Sequence, residues 1–419
     1  MDKEHNDDGH GLLMKRPEEK LRLRNDLIAF RDGVVRYLSG VGAEPARTSI
    51  QDGAAPTLMA FCFKVCCLDL LGALPREHVD RWAEYIRLHQ RADGQFVDPT
   101  IQSSRLGGFE KEYVDWQVTA FACSALHSLG SRPDRMPGFL SSFGDVERTA
   151  AWIRGLDWKR SWYESNKVMF ILCGLQYEML LSEEDSRVES LRAVLNAALD
   201  ELDLLQDERT GYWGPRQGSN VFIGMGGTFH VLIPYYVMGR PIRHTEKIVR
   251  TTLRLQTSEG LFRPVGGGAC DDLDAVDMLV KLGQVEHVRR PLERTLDALL
   301  ALQQPDGGFP WYRRGSVFRI PAEVATLGRI GRVCDVGTAY RWGRTWVARR
   351  VLYPRGRTQK YSGLDRMAYD PLRSDVWSTW FRTLAIALIV DKLGETASVD
   401  FHFKSFPGLG FHRSMGGGL

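Results

Sequence analysis

Four short segments of the sequence share one pattern, in which a glutamine, a polar spacer and a glycine are followed by an aromatic residue. The segments read HQRADGQF, LQDERTGYW, LQTSEGLF and LQQPDGGF, and their glycines are Gly94, Gly211, Gly260 and Gly307. The glycines recur about 50 residues apart, with one interval of about twice that length, and this period suits a pair of helices with two connections. The repeat therefore indicates stacked equivalent units rather than several unrelated domains.

The segments between these turns have helical periodicity. Leu292, Leu296 and Leu299 precede the last turn at helical spacing, and long alternating runs typical of strands are scarce. A glycine can end a helix because it readily adopts positive φ. Degenerate copies of the turn are expected at residues 155–165 and 353–363. We predict an all-α chain of about six helical hairpins, closed as a toroid or open as a solenoid.

Composition limits the classes of function. The 419 residues carry a net charge of only +3, which argues against a general nucleic-acid binder. The polar start and the interrupted apolar stretches predict a cytoplasmic protein without a secretory signal or transmembrane segment. Seven scattered cysteines do not suggest a disulfide framework. We expect one large toroid domain at residues 21–395, a mobile N-terminus at 1–20 and a Gly-rich mobile tail at 396–419.

The glycine turns resemble the repeats of the terpenoid cyclase and protein prenyltransferase superfamily over residues 50–395. The resemblance implies an α/α toroid with a central cavity, and helices that follow the turns would form its inner ring. Other α/α toroids, including carbohydrate-active ones, carry similar turns. The resemblance therefore implies the fold more strongly than the chemistry.

An unusual acidic cluster lies in the stretch GGGACDDLDAVDML, which holds Asp271, Asp272, Asp274 and Asp277. One aspartate can cap a helix, but a cap does not explain four. Crowded carboxylates raise one another's pKa, so one can retain its proton and act as an acid. In the superfamily that the turns resemble, a DxDD motif protonates an alkene; here Ala275 occupies the fourth position. Asp272 and Asp274 are the preferred acids, and Asp271 is the expected cap.

A cofactor is not expected. The zinc site of the resembled prenyltransferases needs Asp-x-Cys, whereas Gly268 stands two residues before Cys270. The sequence contains neither a CxxC pair nor an HExxH motif. A divalent metal at the aspartate cluster is the remaining alternative.

The segments after the turns supply further site candidates. His230 is a candidate catalytic residue, although a buried structural histidine explains it equally well. Polar and aromatic residues near the starts of the inner helices are expected to bind substrate, with packing as the alternative for the tryptophans. These candidates are Asp115, Trp116, Trp162, Glu164, Asn166, Trp311, Tyr312, Arg373, Asp375, Trp377 and Arg382.

Three functions remain open from the residues. The first is a terpenoid-cyclase-like or prenyltransferase-like enzyme, an isomerase or lyase that uses the aspartate cluster as a general acid on an isoprenoid. The second is a carbohydrate-active lyase, hydrolase or epimerase acting on an acidic oligosaccharide. The third is a non-catalytic binding protein on the same scaffold. Residues 313–366 hold 13 Lys or Arg and three acids. A solvated surface is the usual explanation for such a run, and attraction of an anionic small-molecule or oligosaccharide substrate is the alternative.

Overall fold

The computed structural model describes residues 17–42, 44–101, 109–395 and 399–411. Within these residues the chain forms fourteen α-helices and four strands of two residues each. The helices are α1 (Pro17–Gly40), α2 (Leu58–Leu70), α3 (Val79–Arg87), α4 (Lys111–Ser128), α5 (Val146–Arg154), α6 (Ser161–Leu181), α7 (Asp185–Leu205), α8 (Val221–Met238), α9 (Thr245–Leu255), α10 (Ala269–Leu282), α11 (Val285–Leu300), α12 (Ile320–Val333), α13 (Val336–Val347) and α14 (Val376–Leu393). The strands are β1 (Phe309–Pro310), β2 (Gln359–Lys360), β3 (Ala368–Tyr369) and β4 (Ser374–Asp375), which pair antiparallel as β1 with β4 and β2 with β3.

Six of the described helices form a closed inner ring. Around the ring, α2 packs against α4, and the contacts continue through α6, α8, α10 and α14 back to α2. The outer helices α1, α3, α7, α9 and α11 pack against this ring from outside, and α5 packs against α7. The prediction of an all-α toroid is therefore confirmed, and the contact between α14 and α2 decides for the closed form over the open solenoid.

The two rings differ in how their helices are buried. The inner helices α8 and α14 are buried over most of their length because neighbours cover them on nearly every side. Outer helices bury only one face, as the pattern of Leu292, Leu296 and Leu299 in α11 predicted. Helix α8 is apolar and long enough to cross a membrane by composition, but 83% of that stretch is buried inside the ring.

The four glycine turns have the same geometry. Their φ angles are 81°, 79°, 91° and 93° at Gly94, Gly211, Gly260 and Gly307. The side-chain amide of each turn glutamine donates to the carbonyl oxygen of the turn glycine. A Cβ at Gly307 would lie only 2.0 Å from the carbonyl oxygen of Gly33, so this close approach requires glycine. Each turn follows an outer helix and leads towards an inner one, which places all four at the same end of the ring.

A second contact joins each turn to the next inner helix. The backbone N–H of the turn aromatic donates to a side-chain oxygen on that helix, at 2.8–3.2 Å. The acceptors, which we call the anchor residues, are Thr119, Thr228, Asp272 and Thr379. Three of the four turns thus use threonine, and the turn before the acidic cluster uses an aspartate.

The chain between β1 and α14 forms an insert over the end of the ring where the turns lie. Its helices α12 and α13 pack on each other, and α13 also contacts α8. Asp335, at the start of α13, accepts the backbone N–H of Val221 at 2.9 Å and so fixes the insert to the start of α8. Residues 353–363 belong to this insert, so the expected degenerate repeat turn there is wrong. The copy at 155–165 does lead into the inner helix α6.

Residues 399–411, which we call the C-terminal plug, cross the opposite end of the ring. The N–H of His402 donates to the last turn of α2 at 2.8 Å. Lys404 Nζ donates to Ser124 in α4 at 3.3 Å, and the carbonyl oxygen of Phe411 accepts from Lys281 in α10 at 2.6 Å. These contacts tie the plug to three inner helices.

The plug changes the expected division of the chain. A mobile tail was expected at residues 396–419, but the plug buries Phe401, Phe406, Leu409 and Phe411 against the ring. Aromatic side chains fill the end of a ring that would otherwise expose apolar surface, which explains why this Gly-containing segment is held in place. The rest of the tail, and residues 1–16 of the expected mobile N-terminus, lie outside the described residues; residues 17–20 begin α1.

Candidate functional site

A cavity of about 960 Å³ lies inside the ring at the end that the insert covers. Its walls come from the first turns of α4, α6, α8, α10 and α14, and its mouth is lined by α13 and the residues that follow it. Five inner helices, spread over most of the sequence, therefore contribute to one concave site.

Helix geometry decides which side chains face this cavity. Each anchor residue points outward to its turn, and residues two positions away lie about 200° around the helix, on the opposite face. In every case the residues two before and two after the anchor line the cavity. They are Gln117 and Phe121, Gly226 and His230, Cys270 and Asp274, and Trp377 and Phe381.

Asp272 is the anchor of α10, and its carboxylate is enclosed by donors. It accepts the N–H groups of Phe262 at 2.8 Å and Gly268 at 3.1 Å, and pairs with Arg382 Nη1 at 2.9 Å. Burial raises the pKa of Asp272, whereas Arg382 and the two N–H groups lower it. Because three donors surround the carboxylate, we assign Asp272 as ionised at neutral pH. Its function is structural.

Asp274 differs from Asp272 in its position, its hydrogen bonds and its charged partners. It faces the cavity, and no donor among the described residues hydrogen-bonds to its carboxyl group. Burial raises the pKa of Asp274 well above its ordinary value, and the nearby charges of Asp271, Asp277 and Asp272 raise it further. The surroundings of Asp274 therefore favour the protonated form of its carboxyl group.

The other two acids are paired with bases. Asp271 lies at the cavity wall, where Arg263 Nη1 contacts its carboxylate at 2.8 Å. Asp277 is one turn beyond Asp274 and pairs with Lys281 at 2.5 Å. Asp271 was expected to cap α10, but the N-cap position is Gly268, which has no side chain, so this expectation is wrong.

His230 lines the cavity from α8, the helix beside α10 in the ring. Its Nδ1 is 3.1 Å from Ser165 Oγ, and that hydroxyl also donates to the carbonyl oxygen of Trp162 at 3.2 Å. When the Ser165 hydroxyl donates its proton to the Trp162 carbonyl, its oxygen accepts from His230. Nδ1 then carries the imidazole proton, and Nε2 keeps a free lone pair. Burial lowers the pKa of His230 to about 3, so the ring is neutral at physiological pH.

Aromatic side chains form most of the remaining wall. Trp311 stacks on Trp377 with ring centroids 4.8 Å apart, and Tyr361 meets the edge of Trp377 at 4.5 Å. A Cβ added at Gly226 would lie 2.6 Å from the Trp162 ring and 3.0 Å from Asp274 Oδ2. The absence of a side chain at Gly226 therefore lets the Trp162 indole and the Asp274 carboxyl both lie close to the backbone of α8.

The mouth of the cavity is basic. Its lining includes Arg341, Arg344, Arg357 and Lys360 from the insert. Arg349 is buried deeper and donates to three backbone carbonyls of residues 264–267 at 2.6–2.9 Å, with its guanidinium 3.7 Å from the centre of the Tyr312 ring. Burial lowers the pKa of Arg349 to about 9, with a further contribution from the charge of Arg263.

The structure brings together only part of the predicted site. The expected residues that line the cavity are Trp162, Asn166, His230, Asp271, Asp274, Trp311, Tyr312 and Trp377. The expected residues that do not line it are Asp115, Trp116, Glu164, Asp272, Asp277, Arg373, Asp375 and Arg382.

Most of these exceptions have a clear partner elsewhere. Asp115 pairs with Lys111, Glu164 pairs with Lys167, and Trp116 stacks on Phe139 away from the cavity. Arg382 is fully buried and, besides Asp272, donates to the carbonyls at the end of β1 and just after it.

The last two exceptions belong to the start of α14 and its approach. Asp375 caps α14 by accepting the N–H of Ser378 at 2.7 Å. Arg373 is largely exposed, 3.9 Å from Asp52.

Several cavity residues were missed. Tyr113, Gln117, Phe222, Phe381, Arg263 and the insert arginines all line the cavity. The helix residues carry a sequence signal, since positions two residues either side of each anchor face inward. Finding it requires the anchors first, and only the structure identified them. Among the described residues, no group of three or more His, Cys, Asp or Glu side chains is placed to hold a metal ion.

Comparison with known proteins gives structural relatives only. No family model and no curated protein matches the sequence. An Asp→Asn variant of the type II terpene cyclase MstE from Scytonema, bound to geranylgeranyl dihydroxybenzoate as substrate, has a TM-score of 0.47 at 12% identity, covering 91% of this chain and 100% of that one.

Two further solved structures are similar. An Arg→Ala variant of the same Scytonema enzyme with the same substrate has a TM-score of 0.44 at 13% identity, covering 90% of this chain and 100% of that one. A protein from Actinoplanes has a TM-score of 0.43 at 14% identity, and the match covers 88% of this chain and 99% of that one. The chain is thus similar to type II terpene cyclase structures over most of its length. At these identities and TM-scores the likeness concerns the fold alone, and the helix contacts described above establish the toroid by themselves.

Proposed function

We propose that this chain is an enzyme that cyclises an isoprenoid substrate after protonating one of its alkenes, with Asp274 as the general acid. The observation that carries the proposal is the state of Asp274. Its carboxyl faces an aromatic cavity, has a raised pKa and lacks a cationic partner among the described residues. A protonated carboxylic acid beside apolar surface is suited to proton donation to carbon.

The first step uses the Asp274 proton directly. The alkene π electrons form a new C–H bond with it, which leaves a carboxylate on Asp274 and a carbocation on the substrate. The Trp162 indole reaches the space beside Gly226, next to the carboxyl, and can stabilise the cation through its ring. A second alkene of the same chain then attacks the cation and closes a ring.

The reaction ends when the last cation loses a proton. His230 is suited to accept it because its imidazole is neutral and its Nε2 is free when Ser165 holds the other ring nitrogen. A weak base is sufficient, since a carbocation is a very strong acid. One proton enters and one leaves, so the product is an isomer of the substrate and the reaction needs no oxidant or cofactor.

The basic mouth favours a substrate with an anionic group. Arg341, Arg344 and Arg357 lie where such a group would rest while the hydrocarbon part enters the cavity. A diphosphate or carboxylate would each suit guanidinium donors. The substrate class that fits both parts is therefore a polyprenyl chain with an acidic head.

The cavity fits a glycan less well. Glycoside hydrolysis places two carboxyl groups on opposite sides of the scissile bond. Here Asp271 and Asp274, the two acids of the cluster that line the cavity, lie one turn apart on the same helix. A non-catalytic binding protein remains an outcome of the experiment below.

The test is to incubate the protein with prenyl diphosphates and prenylated aromatic acids of several lengths in D₂O. We expect cyclic isomers that contain one solvent deuteron per molecule. Asp274→Asn should lower kcat by at least about 1,000-fold, because the amide does not donate a proton to carbon, while substrate binding persists.

The matched control is Asp297→Asn, an exposed aspartate on the outer helix α11, which should leave kcat unchanged. Full turnover by Asp274→Asn would overturn the assignment of the acid. Binding of the prenyl substrates by the unaltered protein without any conversion would instead support a binding protein.

A further inference from the structure

The insert exposes an unusual amount of apolar surface. Of the fifteen large apolar or aromatic side chains that are exposed among the described residues, nine lie between Val317 and Tyr353. Phe318 is 92% exposed and Val336 is 86% exposed. Single exposed apolar residues are ordinary, but a concentration in one segment marks an interaction surface.

Helix α13 shows that this exposure is organised. Thr338 and Trp342 are buried and face the ring. Val336, Tyr340 and Val347 follow the spacing of a single helical face on the other side, and they are 86%, 68% and 41% exposed. Helix α13 therefore has two apolar faces, and the protein's own core covers only one.

The exposed face continues to the cavity. Leu352 and Tyr353, 62% and 41% exposed, lie just beyond α13, and both line the cavity mouth together with Tyr340. The unburied apolar surface and the opening of the central cavity are thus the same part of the molecule.

The charge of the insert is strongly positive at its surface. The three acids of residues 313–366 all have partners: Glu323 pairs with Arg350, Asp335 accepts the N–H groups of Thr338 and Val221, and Asp365 pairs with Lys360. The exposed residues Arg332 and Arg355, by contrast, pair with no carboxylate among the described residues. Apolar side chains surrounded by basic ones on a helix are typical of segments that lie at a membrane surface.

We propose that the exposed face of the insert docks on an anionic lipid surface, with the cavity mouth facing the lipid. The apolar side chains of α13 would enter the boundary between headgroups and acyl chains, and the arginines would contact the headgroup charges. The only described helix apolar enough to span a bilayer, α8, is buried in the ring, so the contact is peripheral. This inference holds whatever reaction the cavity performs.

The test is sedimentation of the full chain with vesicles of phosphatidylcholine containing about 30 mol% phosphatidylserine, compared with pure phosphatidylcholine. We expect binding to the anionic vesicles that weakens as salt is raised. The double variant Val336→Ser/Val351→Ser should lower the partition coefficient at least about tenfold, and so should Arg332→Glu/Arg355→Glu.

Matched controls come from the outer helices and their connections. Leu88→Ser/Leu204→Ser removes two side chains that are 74% and 64% exposed, and Arg192→Glu/Arg250→Glu reverses two exposed charges. Both control variants should bind vesicles like the unaltered chain. The proposal is overturned if no vesicle is bound, if the control variants lose binding equally, or if light scattering shows that the α13 face instead joins two copies of the chain.

Discussion

The two ends of the helical ring are built in opposite ways. At the end where the turns lie, a large cavity holds Asp274, His230 and Arg349, whose pKa values burial displaces from their ordinary range. At the other end the C-terminal plug fills the ring with side chains. Phe406 packs against Tyr177 with ring centroids 4.8 Å apart, and the remaining void nearby is about 40 Å³.

The plugged end contributes mainly to stability, whereas the open end holds the ionisable groups of the candidate site. Most side chains that the plug buries are apolar, so they gain contacts and lose little by burial. At the open end the protein keeps ionisable groups partly desolvated and leaves space beside them, which costs free energy of folding. We therefore expect substitutions at the two ends to differ in both size and pH dependence.

The largest expected effect tests the buried pair at the open end. Arg382→Met should lower the free energy of unfolding by about 3–5 kcal/mol, since it leaves Asp272 buried without its cation. Chemical denaturation at neutral pH measures the change.

The double variant Asp272→Thr/Arg382→Met provides the control. It restores the threonine found at the other anchors and removes both charges together. We expect it to recover most of the loss, and a double variant as unstable as Arg382→Met would contradict the structural role given to Asp272.

A somewhat smaller effect is expected at the plug. Phe406→Ala removes a ring that contacts α4 and α6 through His127 and Tyr177, and should lower the free energy of unfolding by about 3 kcal/mol. Phe318→Ala, at a residue 92% exposed, is the matched control and should change it by less than about 0.5 kcal/mol. An equal, small effect of both substitutions would show that the plug does not stabilise the ring.

The last effect is a gradual dependence on pH, smaller at each pH unit than the two losses above. The pKa of Asp274 is raised on folding, so the folded chain holds its proton above the ordinary aspartate range. The free energy of unfolding should therefore fall as pH rises from about 4 towards the raised pKa, by up to about 1.4 kcal/mol per pH unit.

Asp274→Asn removes this titration. Its stability relative to the unaltered chain should increase with pH over the same window, whereas Asp297→Asn should follow the unaltered chain at every pH. A parallel pH profile for Asp274→Asn would mean that Asp274 is already ionised in the folded protein.

The sequence predicted the fold because its signals were local. A glycine, the glutamine before it and the aromatic after it fix each turn within a few residues, and the repeat period then implies the hairpins. The sequence did not predict that Asp272 would be buried in an ion pair while Asp274 faces the cavity. The ion pair depends on Arg382, which is 110 residues away in sequence and adjacent only because α10 and α14 pack together.

Helix phase explains the other differences. Trp116 and Glu164 were chosen because they are near the starts of inner helices, but a residue one or two positions away from the inward face points elsewhere. Gln117 and Asn166 occupy the inward positions instead. The insert was recognised as basic from its composition, whereas its position over the cavity follows from contacts such as that of Asp335 with Val221.

The anchor contacts also make the ring a set of interchangeable parts. Each of the four units with an anchor offers an inward position two residues after it, and these positions hold Phe121, His230, Asp274 and Phe381. A single codon change at such a position alters the interior without disturbing the hydrogen bond that sets the helix in place. The architecture thus lets selection move an acid, a base or an aromatic surface from one side of the chamber to another while the scaffold is inherited unchanged.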